Sequence, residues 1–356
     1  MSAATEACAK RMVYGPCGGV RANGTCEVAD TRCSFLDAPV RAWSASDLFI
    51  SPVDGLADLR TQNPGHHPSA ARFAQRTQTE FLVTADLTAK ATTFSDLQRA
   101  SETLGESLTA VVAGEAPGVD SALAPSHRAA LLRDLGLRVI AGITCRDRNR
   151  VALEGELAAL ADLGVEGVLA LTGDHPLSTL RASSKAVFDL DSTRLAALAH
   201  RAGHFVAVAE QPAAPPQHSR ADRLVQKVRA GAELCFVNLC GDAQLIAHFQ
   251  RSVAAHQSTI PLVPVVPIIA SASAAERLAS LPGITLPPTL MRAVAEARHP
   301  EREGIEQAII LARQFADIAG VAGVHLSAVG VPDDADGVRS MALVNNVATA
   351  LREEQQ

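Results

Sequence analysis

Four cysteines lie within the first 33 residues, and their thiols carry the most specific chemistry in this sequence. The stretch that contains two of them, YGPCGGVRANGTCEV, is rich in glycine, which lets a backbone wrap closely around a bound ion. Four thiolates that converge tetrahedrally form a structural zinc site, but an iron–sulfur cluster takes the same ligands, and unliganded thiols are a third possibility. We expect a structural metal, zinc by preference, on Cys8, Cys17, Cys26 and Cys33.

A second set of polar residues follows short apolar runs farther along the chain. Asp86 ends the run FLVTAD, Thr144 ends LRVIAGIT, and Asp174 follows GVLALTG. At the end of a buried strand Asp86 is placed as a general acid, because burial would raise its pKa toward neutrality. A helix cap or an ion pair is the equally open alternative for Asp86. Asp174 could accept paired hydrogen bonds from a nitrogen heterocycle or cap the next helix.

Eight apolar runs of this kind alternate with stretches of helical periodicity. They span residues 81–86, 108–113, 137–144, 167–173, 204–210, 233–238, 262–268 and 322–328. A doubly wound open sheet is the competing arrangement, but VTADLTAK after the first run has no glycine and therefore no dinucleotide fingerprint. The pattern predicts an α/β fold, a (β/α)8 TIM barrel with its active site at the C-terminal ends of the strands.

Two segments precede this barrel, which we expect over residues 81–350. The first is a four-cysteine metal-binding module over residues 1–40. The second, residues 41–80, is rich in Pro, Gly and polar residues and is typical of an extended linker with at most one short helix. Within the barrel, the charged run CRDRNR predicts a helix capped by Asp147, and Gly164 is expected to end that helix.

Composition limits the classes of function. The 356 residues are 47% hydrophobic, enough for a large core, and the net charge of -6 argues against a general affinity for nucleic acid or anionic lipid. No stretch approaches the ~20 apolar residues of a membrane span, and the N-terminus lacks an apolar signal core, so we expect a cytoplasmic protein. Thiols stay reduced there, and Cys145, Cys235 and Cys240 are expected to pack in the core.

Several motifs together resemble the methylenetetrahydrofolate reductase family. The most recognisable is ITCRDRNRVALEGELAALADLGVEGVLALTGDHP (143–176). AVFDLDSTRLAAL (186–198), QKVRAGAELCFVN (226–238) and GVAGVHLSAVG (320–330) follow in the expected order. The N-terminal YGPCGGVRANGTCEV resembles a separate cysteine module that accompanies this family in some bacteria, usually as a C-terminal domain or a partner subunit.

The resemblance implies a folate-dependent oxidoreductase that reduces methylene-tetrahydrofolate to methyl-tetrahydrofolate. It assigns the catalytic carboxylate to Asp86, where the family has Glu, and pterin binding to Asp174 and to Asn238, where the family has Gln. Thr144 is expected to contact the same ligand. The family's flavin implies FAD as a cofactor, with NAD(P)H as a possible electron donor, and the cofactor contacts fall on Thr172, Asp189 and Lys227.

Two other functions stay open. Strand three has Gly142 where many relatives have histidine, and Thr172 stands where some relatives place an arginine near the flavin. A flavin-free, folate-dependent one-carbon transferase would account for these departures. A non-catalytic folate-binding subunit, whose cysteine module docks a partner protein or a second copy of the chain, is the third possibility.

Overall fold

The computed structural model describes residues 2–48, 65–87, 93–114, 123–179, 182–280, 284–331, 334 and 337–353. The middle of the expected linker, residues 49–64, lies outside this part of the chain. No helix in these ranges is both long enough and apolar enough to cross a membrane.

Eight parallel strands close into a barrel in which each strand pairs with the next and β8 pairs with β1. The strands are β1 Leu82–Asp86, β2 Ala110–Ala113, β3 Val139–Thr144, β4 Gly167–Leu171, β5 Val206–Glu210, β6 Leu234–Val237, β7 Leu262–Ile269 and β8 Gly323–Val329. All eight lie on the apolar runs of the sequence, because parallel strands covered by helices are buried on both faces and need continuous apolar residues. The (β/α)8 prediction is confirmed.

The described ranges also contain twelve α-helices, most of which cover the outside of this barrel. They are α1 Ala3–Ala7, α2 Pro68–Thr79, α3 Phe94–Glu102, α4 Pro125–Asp134, α5 Arg150–Leu163, α6 Ser192–Arg201, α7 Arg220–Arg229, α8 Ala243–Ala255, α9 Ala272–Ser280, α10 Pro288–Glu296, α11 Pro300–Ala316 and α12 Val338–Glu353. Between the strands and this helical layer lies the larger apolar core, in which Cys145, Cys235 and Cys240 are buried as expected.

The two ends of α5 show one prediction confirmed and one wrong. Gly164 ends the helix with a left-handed backbone (φ 66°), a conformation that glycine adopts without steric cost. The N-cap is Asn149, whose side chain accepts the Ala152 N–H at 3.0 Å. Asp147 instead lies between Arg146 and Arg148, with N···O distances of 3.1 Å to each, because the helix begins two residues later than expected.

The inside of the barrel forms a second, smaller core. Alternate strand residues point inward, among them Leu82, Ile140 and Phe236, and α2 closes the N-terminal end beneath them. Phe73 of α2 is fully buried there and meets Phe205 edge to face, with ring centroids 5.1 Å apart. The described part of the expected linker thus contains a 12-residue helix packed on the barrel.

Candidate active site

A carboxylate and an imidazole meet at the mouth of the barrel. Asp86, the last residue of β1, lies 3.0 Å from His325 Nε2 through Oδ1 and accepts a hydrogen bond from Ser327 Oγ at 2.9 Å through Oδ2. His325 Nδ1 lies 3.0 Å from Thr84 Oγ1. The register of β1 against β8 sets Thr84 opposite His325 and so builds this network.

The expected raised pKa of Asp86 is wrong. Partial burial acts to raise it, but the charge of His325 and the hydrogen bonds from His325 and Ser327 outweigh that effect, so the pKa of Asp86 lies below its usual value. The side chain is still 42% exposed and opens to the mouth of the barrel. The sequence could not indicate this shift, because the partner residues lie on the opposite end of the chain.

The residues expected to bind substrate lie at the same mouth. Thr144 ends β3 and is buried, whereas Asp174 and Asn238 follow β4 and β6 and are exposed. In the described residues, no group donates a hydrogen bond to the Asp174 carboxylate. Gly173 turns the chain before Asp174 with φ 87°, and a Cβ at this position would lie 2.9 Å from Thr144 Cβ. Asp86, Asp174 and Asn238 are therefore at least partly exposed at the mouth.

The three side chains expected to hold a flavin are engaged by the protein itself. Thr172 Oγ1 accepts the Ser192 N–H at 3.1 Å, and Asp189 Oδ2 accepts the Arg150 N–H at 2.8 Å. Lys227 is 2% exposed and lies 2.9 Å from a buried carboxylate. Lys227, committed to an internal ion pair, does not fit the expected flavin contact, and Thr172 and Asp189 each already accept one backbone N–H.

That buried carboxylate is Glu210, the last residue of β5. It forms ion pairs with three residues on one face of α7. The N···O distances are 2.9 Å to Lys227 and 3.3 Å to both Arg220 and Arg223. Burial raises the pKa of Glu210, but these three cations together lower it to about 2. We did not predict this cluster from the sequence. The signal was an acidic residue at the end of an apolar strand, followed by basic residues at helical spacing, positions 220, 223 and 227.

The cysteine module docks on the mouth of the barrel beside this cluster. Arg220 donates to the Cys17 carbonyl at 3.0 Å, and Arg223 donates to the Gly15 carbonyl at 3.3 Å. Nearer to the N-terminus of the module, the Val13 N–H donates to Asp191 Oδ2 at 3.1 Å. The module therefore borders the same face of the barrel as the substrate residues, on the side of β4 and β5.

A second contact between module and barrel involves charge. Lys10 Nζ lies 2.5 Å from Glu27 Oε1, with both side chains largely buried, and the same oxygen accepts the His175 N–H at 3.4 Å. Burial lowers the pKa of Lys10, but the negative charges of Cys17, Glu27 and Asp174 raise it above its usual value. Asp174 is therefore within electrostatic reach of the module.

The four cysteines line one cavity of about 100 Å³ inside the module. Burial raises the pKa of the Cys8 and Cys33 thiols, while backbone N–H groups of Met12 and Lys10 for Cys8, and of Phe35 for Cys33, act to lower it. Such N–H donors support thiolate ligands at metal sites. In the described ranges, however, no three His, Cys, Asp or Glu side chains converge closely enough to form a metal site as they stand.

A closed parallel barrel with a carboxylate–imidazole pair at its mouth defines the class, a (β/α)8-barrel protein with its site at the C-terminal ends of the strands. The chain belongs to the methylenetetrahydrofolate reductase family, whose model matches residues 76–333. A second model, described as methylene-tetrahydrofolate reductase C terminal, matches residues 1–47. The family resemblance of the sequence motifs is thereby confirmed.

Individual relatives are distant. Methylenetetrahydrofolate reductase 2 of Schizosaccharomyces pombe is 24% identical over 227 residues, 57% of this chain and 34% of that protein. Probable methylenetetrahydrofolate reductase (NADPH) of Caenorhabditis elegans is 24% identical over 219 residues, 58% of this chain and 33% of that protein. The matched region thus spans about a third of the length of these curated relatives.

The fold is shared with solved structures. One of them is an uncharacterized protein from Clostridium thermocellum that binds two copies of 5-methyl-5,6,7,8-tetrahydrofolic acid. The TM-score is 0.55 at 12% identity, with 78% of this chain and 99% of that chain covered. At this identity the likeness shows the barrel fold alone.

Proposed function

We propose that this protein is a folate-dependent oxidoreductase that reduces methylene-tetrahydrofolate to methyl-tetrahydrofolate. Family membership supports the reaction class. The observation that carries the proposal is the pair of Asp86 and His325, which opens to the mouth of the barrel at the position expected for the catalytic carboxylate. A barrel with a purely structural Asp86 would have no need to leave its carboxylate 42% exposed beside a buried imidazole.

Substrate binding would use the exposed polar groups around that pair. The Asp174 carboxylate would accept hydrogen bonds from the N–H groups along the pterin edge, and the Asn238 amide would both donate and accept there. A carboxylate that pairs with a planar N–H edge fixes the orientation of the ring as well as its position. The one-carbon bridge would then face Asp86 across the mouth.

Asp86 and His325 would supply the proton that opens the bridge. Protonation of N10 breaks its bond to the bridging carbon and leaves an iminium on N5, and a hydride from the reduced donor then forms the methyl group. With NAD(P)H as donor the equation balances, because methylene-tetrahydrofolate, NAD(P)H and one proton give methyl-tetrahydrofolate and NAD(P)⁺. When the bound pterin excludes water from Asp86, the pKa of the carboxyl rises from its lowered value, which favours proton transfer from His325 through Asp86.

The second candidate is a flavin-free one-carbon transferase on the same folate site. It is favoured by the contacts of Thr172, Asp189 and Lys227, which hold the protein together at the positions expected to bind FAD. The absorption spectrum of the purified protein separates the cofactor possibilities. A flavin band near full occupancy would show that FAD binds by other residues, and a colourless protein that reduces folate with NAD(P)H would support direct hydride transfer.

We also propose that the module is a structural zinc site, formed by Cys8, Cys17, Cys26 and Cys33. Support comes from the shared cavity and from the backbone N–H groups directed at two of the thiols. A bound cation would draw the thiolates into tetrahedral contact and offset their mutual repulsion. Thiols in this state require a reducing compartment, in keeping with the cytoplasm. Elemental analysis should find about one zinc per chain, and an iron–sulfur cluster would instead give a brown protein.

The catalytic proposal is tested with Asp86→Asn, which keeps the shape of the side chain but removes its charge. We expect kcat for methylene-tetrahydrofolate reduction to fall by about 10²- to 10⁴-fold, the usual contribution of a general acid, with methyl-tetrahydrofolate binding retained. The matched control is Asp147→Asn, a partly exposed carboxylate held by two arginines after β3.

Three results would contradict the proposal in different ways. Equal activity of Asp86→Asn and the wild type would remove Asp86 from the mechanism. Folate binding without turnover by the wild type would favour the non-catalytic subunit. Transfer of the one-carbon unit to an acceptor, with no reduction by any reduced donor, would favour the transferase.

A further inference from the structure

A buried ion pair of the cysteine module lies against the loop that presents Asp174. The side chains of Lys10 and Glu27 are 6% and 11% exposed, and their charged atoms are 2.5 Å apart. Neither residue belongs to the barrel, and neither was predicted to have a role. Because a buried pair contributes little net stability compared with apolar residues of similar volume, its presence at a site border calls for another explanation.

Glu27 reaches the barrel through the residue that follows Asp174. Its Oε1 accepts the His175 N–H at 3.4 Å, so one carboxylate oxygen joins Lys10 of the module to the β4 loop. The module is shaped for this arrangement at Gly19, where a Cβ would lie 1.5 Å from Glu27 Oε2. Any other residue at position 19 would displace the carboxylate from its place.

The β4 loop is also held from the barrel side. The His175 ring stacks on Phe188 with centroids 5.8 Å apart, and its Nδ1 accepts the Leu177 N–H at 3.2 Å. These contacts fix the chain after Asp174, while Gly173 fixes the turn before it. Asp174 itself remains exposed between them.

We propose that Lys10 and Glu27 are positioning residues for Asp174, so that the cysteine module completes the folate site of the barrel. This inference rests on the proposed function, in which Asp174 binds the pterin edge. Glu27 would hold the backbone after Asp174 in place, and Lys10 would hold the Glu27 carboxylate at that contact. Since Lys10 is two residues from Cys8 and Glu27 follows Cys26, ordering of the module would be transmitted to the substrate loop.

The test compares Glu27→Gln with Asp30→Asn in the full-length protein. Both changes convert a carboxylate to an amide within the module, but Asp30 is 99% exposed and pairs with Arg21 on the surface. We expect Glu27→Gln to weaken binding of methyl-tetrahydrofolate, measured by calorimetry, by about tenfold, while Asp30→Asn binds like the wild type. KM for methylene-tetrahydrofolate should rise by a similar factor, with kcat within about twofold of the wild type, because the proton-donating pair is untouched.

A purely structural role would give a different set of results. A lower melting temperature is expected in Glu27→Gln, because Lys10 loses its buried partner. Unchanged binding would overturn the positioning role, as would loss of zinc in parallel with the loss of binding, or an equal loss of binding in Phe73→Ala, which destabilises the opposite end of the barrel. Lys10→Arg, which keeps the cation, should retain most of the affinity, whereas Lys10→Met should lose it. If the wild type neither binds nor reduces folate, the proposed function itself fails. If the wild type and Glu27→Gln bind folate equally well, only the positioning role fails.

Discussion

The Glu210 cluster allows a quantitative prediction about how the module is attached to the barrel. Glu210→Gln removes a carboxylate that is 2% exposed and leaves Lys227, Arg220 and Arg223 buried against a neutral amide. The two arginines also hold carbonyls of the module, so the loss of their counter-ion should loosen the docked segment as well as the barrel.

The expected magnitude follows from the pKa of Glu210. A decrease from 4.5 to about 2 corresponds to ~3 kcal/mol of stability at ~1.36 kcal/mol per pH unit. The loss of one partner from a buried pair costs a similar ~3–5 kcal/mol. Because the pKa is lowered in the folded state, this contribution is complete above pH 4.5 and is lost as the pH falls toward about 2. Glu210→Gln should therefore unfold more easily at pH 7 and lose less further stability between pH 4.5 and 2.

Trp43 provides the assay, since it is the one tryptophan of the chain and lies at the junction of module and barrel. Its backbone N–H donates to Gln226 Oε1 on α7 at 2.8 Å, and the centroid of its ring lies 5.5 Å from that of Tyr14. In urea, Trp43 fluorescence should report release of the module, and far-ultraviolet circular dichroism should report unfolding of the barrel. We expect both transitions of Glu210→Gln at lower urea than in the wild type, with the fluorescence change first.

Asp222→Asn is the matched control for this experiment. Asp222 also lies on α7, but its pair with His256 is about half exposed, so its removal should change the free energy of unfolding by less than ~1 kcal/mol. A change below ~1 kcal/mol for Glu210→Gln, or an unaltered stability profile between pH 4.5 and 2, would refute the electrostatic account of this cluster.

Two further predictions concern the body of the barrel. Phe73→Ala, which removes the contact with Phe205 beneath the barrel, should lower the free energy of unfolding measured in urea by ~3–5 kcal/mol. The control is Phe94→Ala, at a side chain that is 45% exposed, which should cost under ~1 kcal/mol. Equal effects of the two changes would contradict a packed α2. Burial lowers the pKa of His204 to about 4, and its Nε2 donates to the Leu157 carbonyl, so the neutral ring should stabilise the fold fully above pH 6.5 and progressively less toward pH 4. In thermal melts, His204→Gln should not show this loss of stability between pH 6.5 and 4. The same pH profile in the wild type and the variant would contradict the role of His204.

The predictable part of the site is the part encoded along each strand. Asp86, Thr144 and Asp174 could be placed at the mouth because the apolar runs that precede them mark where strands end. The lowered pKa of Asp86 could not be predicted, since it depends on His325. That residue lies 239 positions later in the chain and reaches Asp86 only when β1 pairs with β8. The resemblance identified Lys227 as a candidate contact, but its burial against Glu210 appears only in the folded chain.

The sequence by itself determined the number and order of the strands, because the alternation of apolar runs with helical periodicity is a local property of the chain. It also determined which side chains stand at strand ends. Only the tertiary structure decided that the cysteine module docks on the mouth of the barrel, that Glu210 neutralises three basic residues, and that Glu27 reaches the loop after Asp174. These contacts join residues far apart in the chain, and electrostatic and packing energies depend on distance in space, which local pattern does not contain.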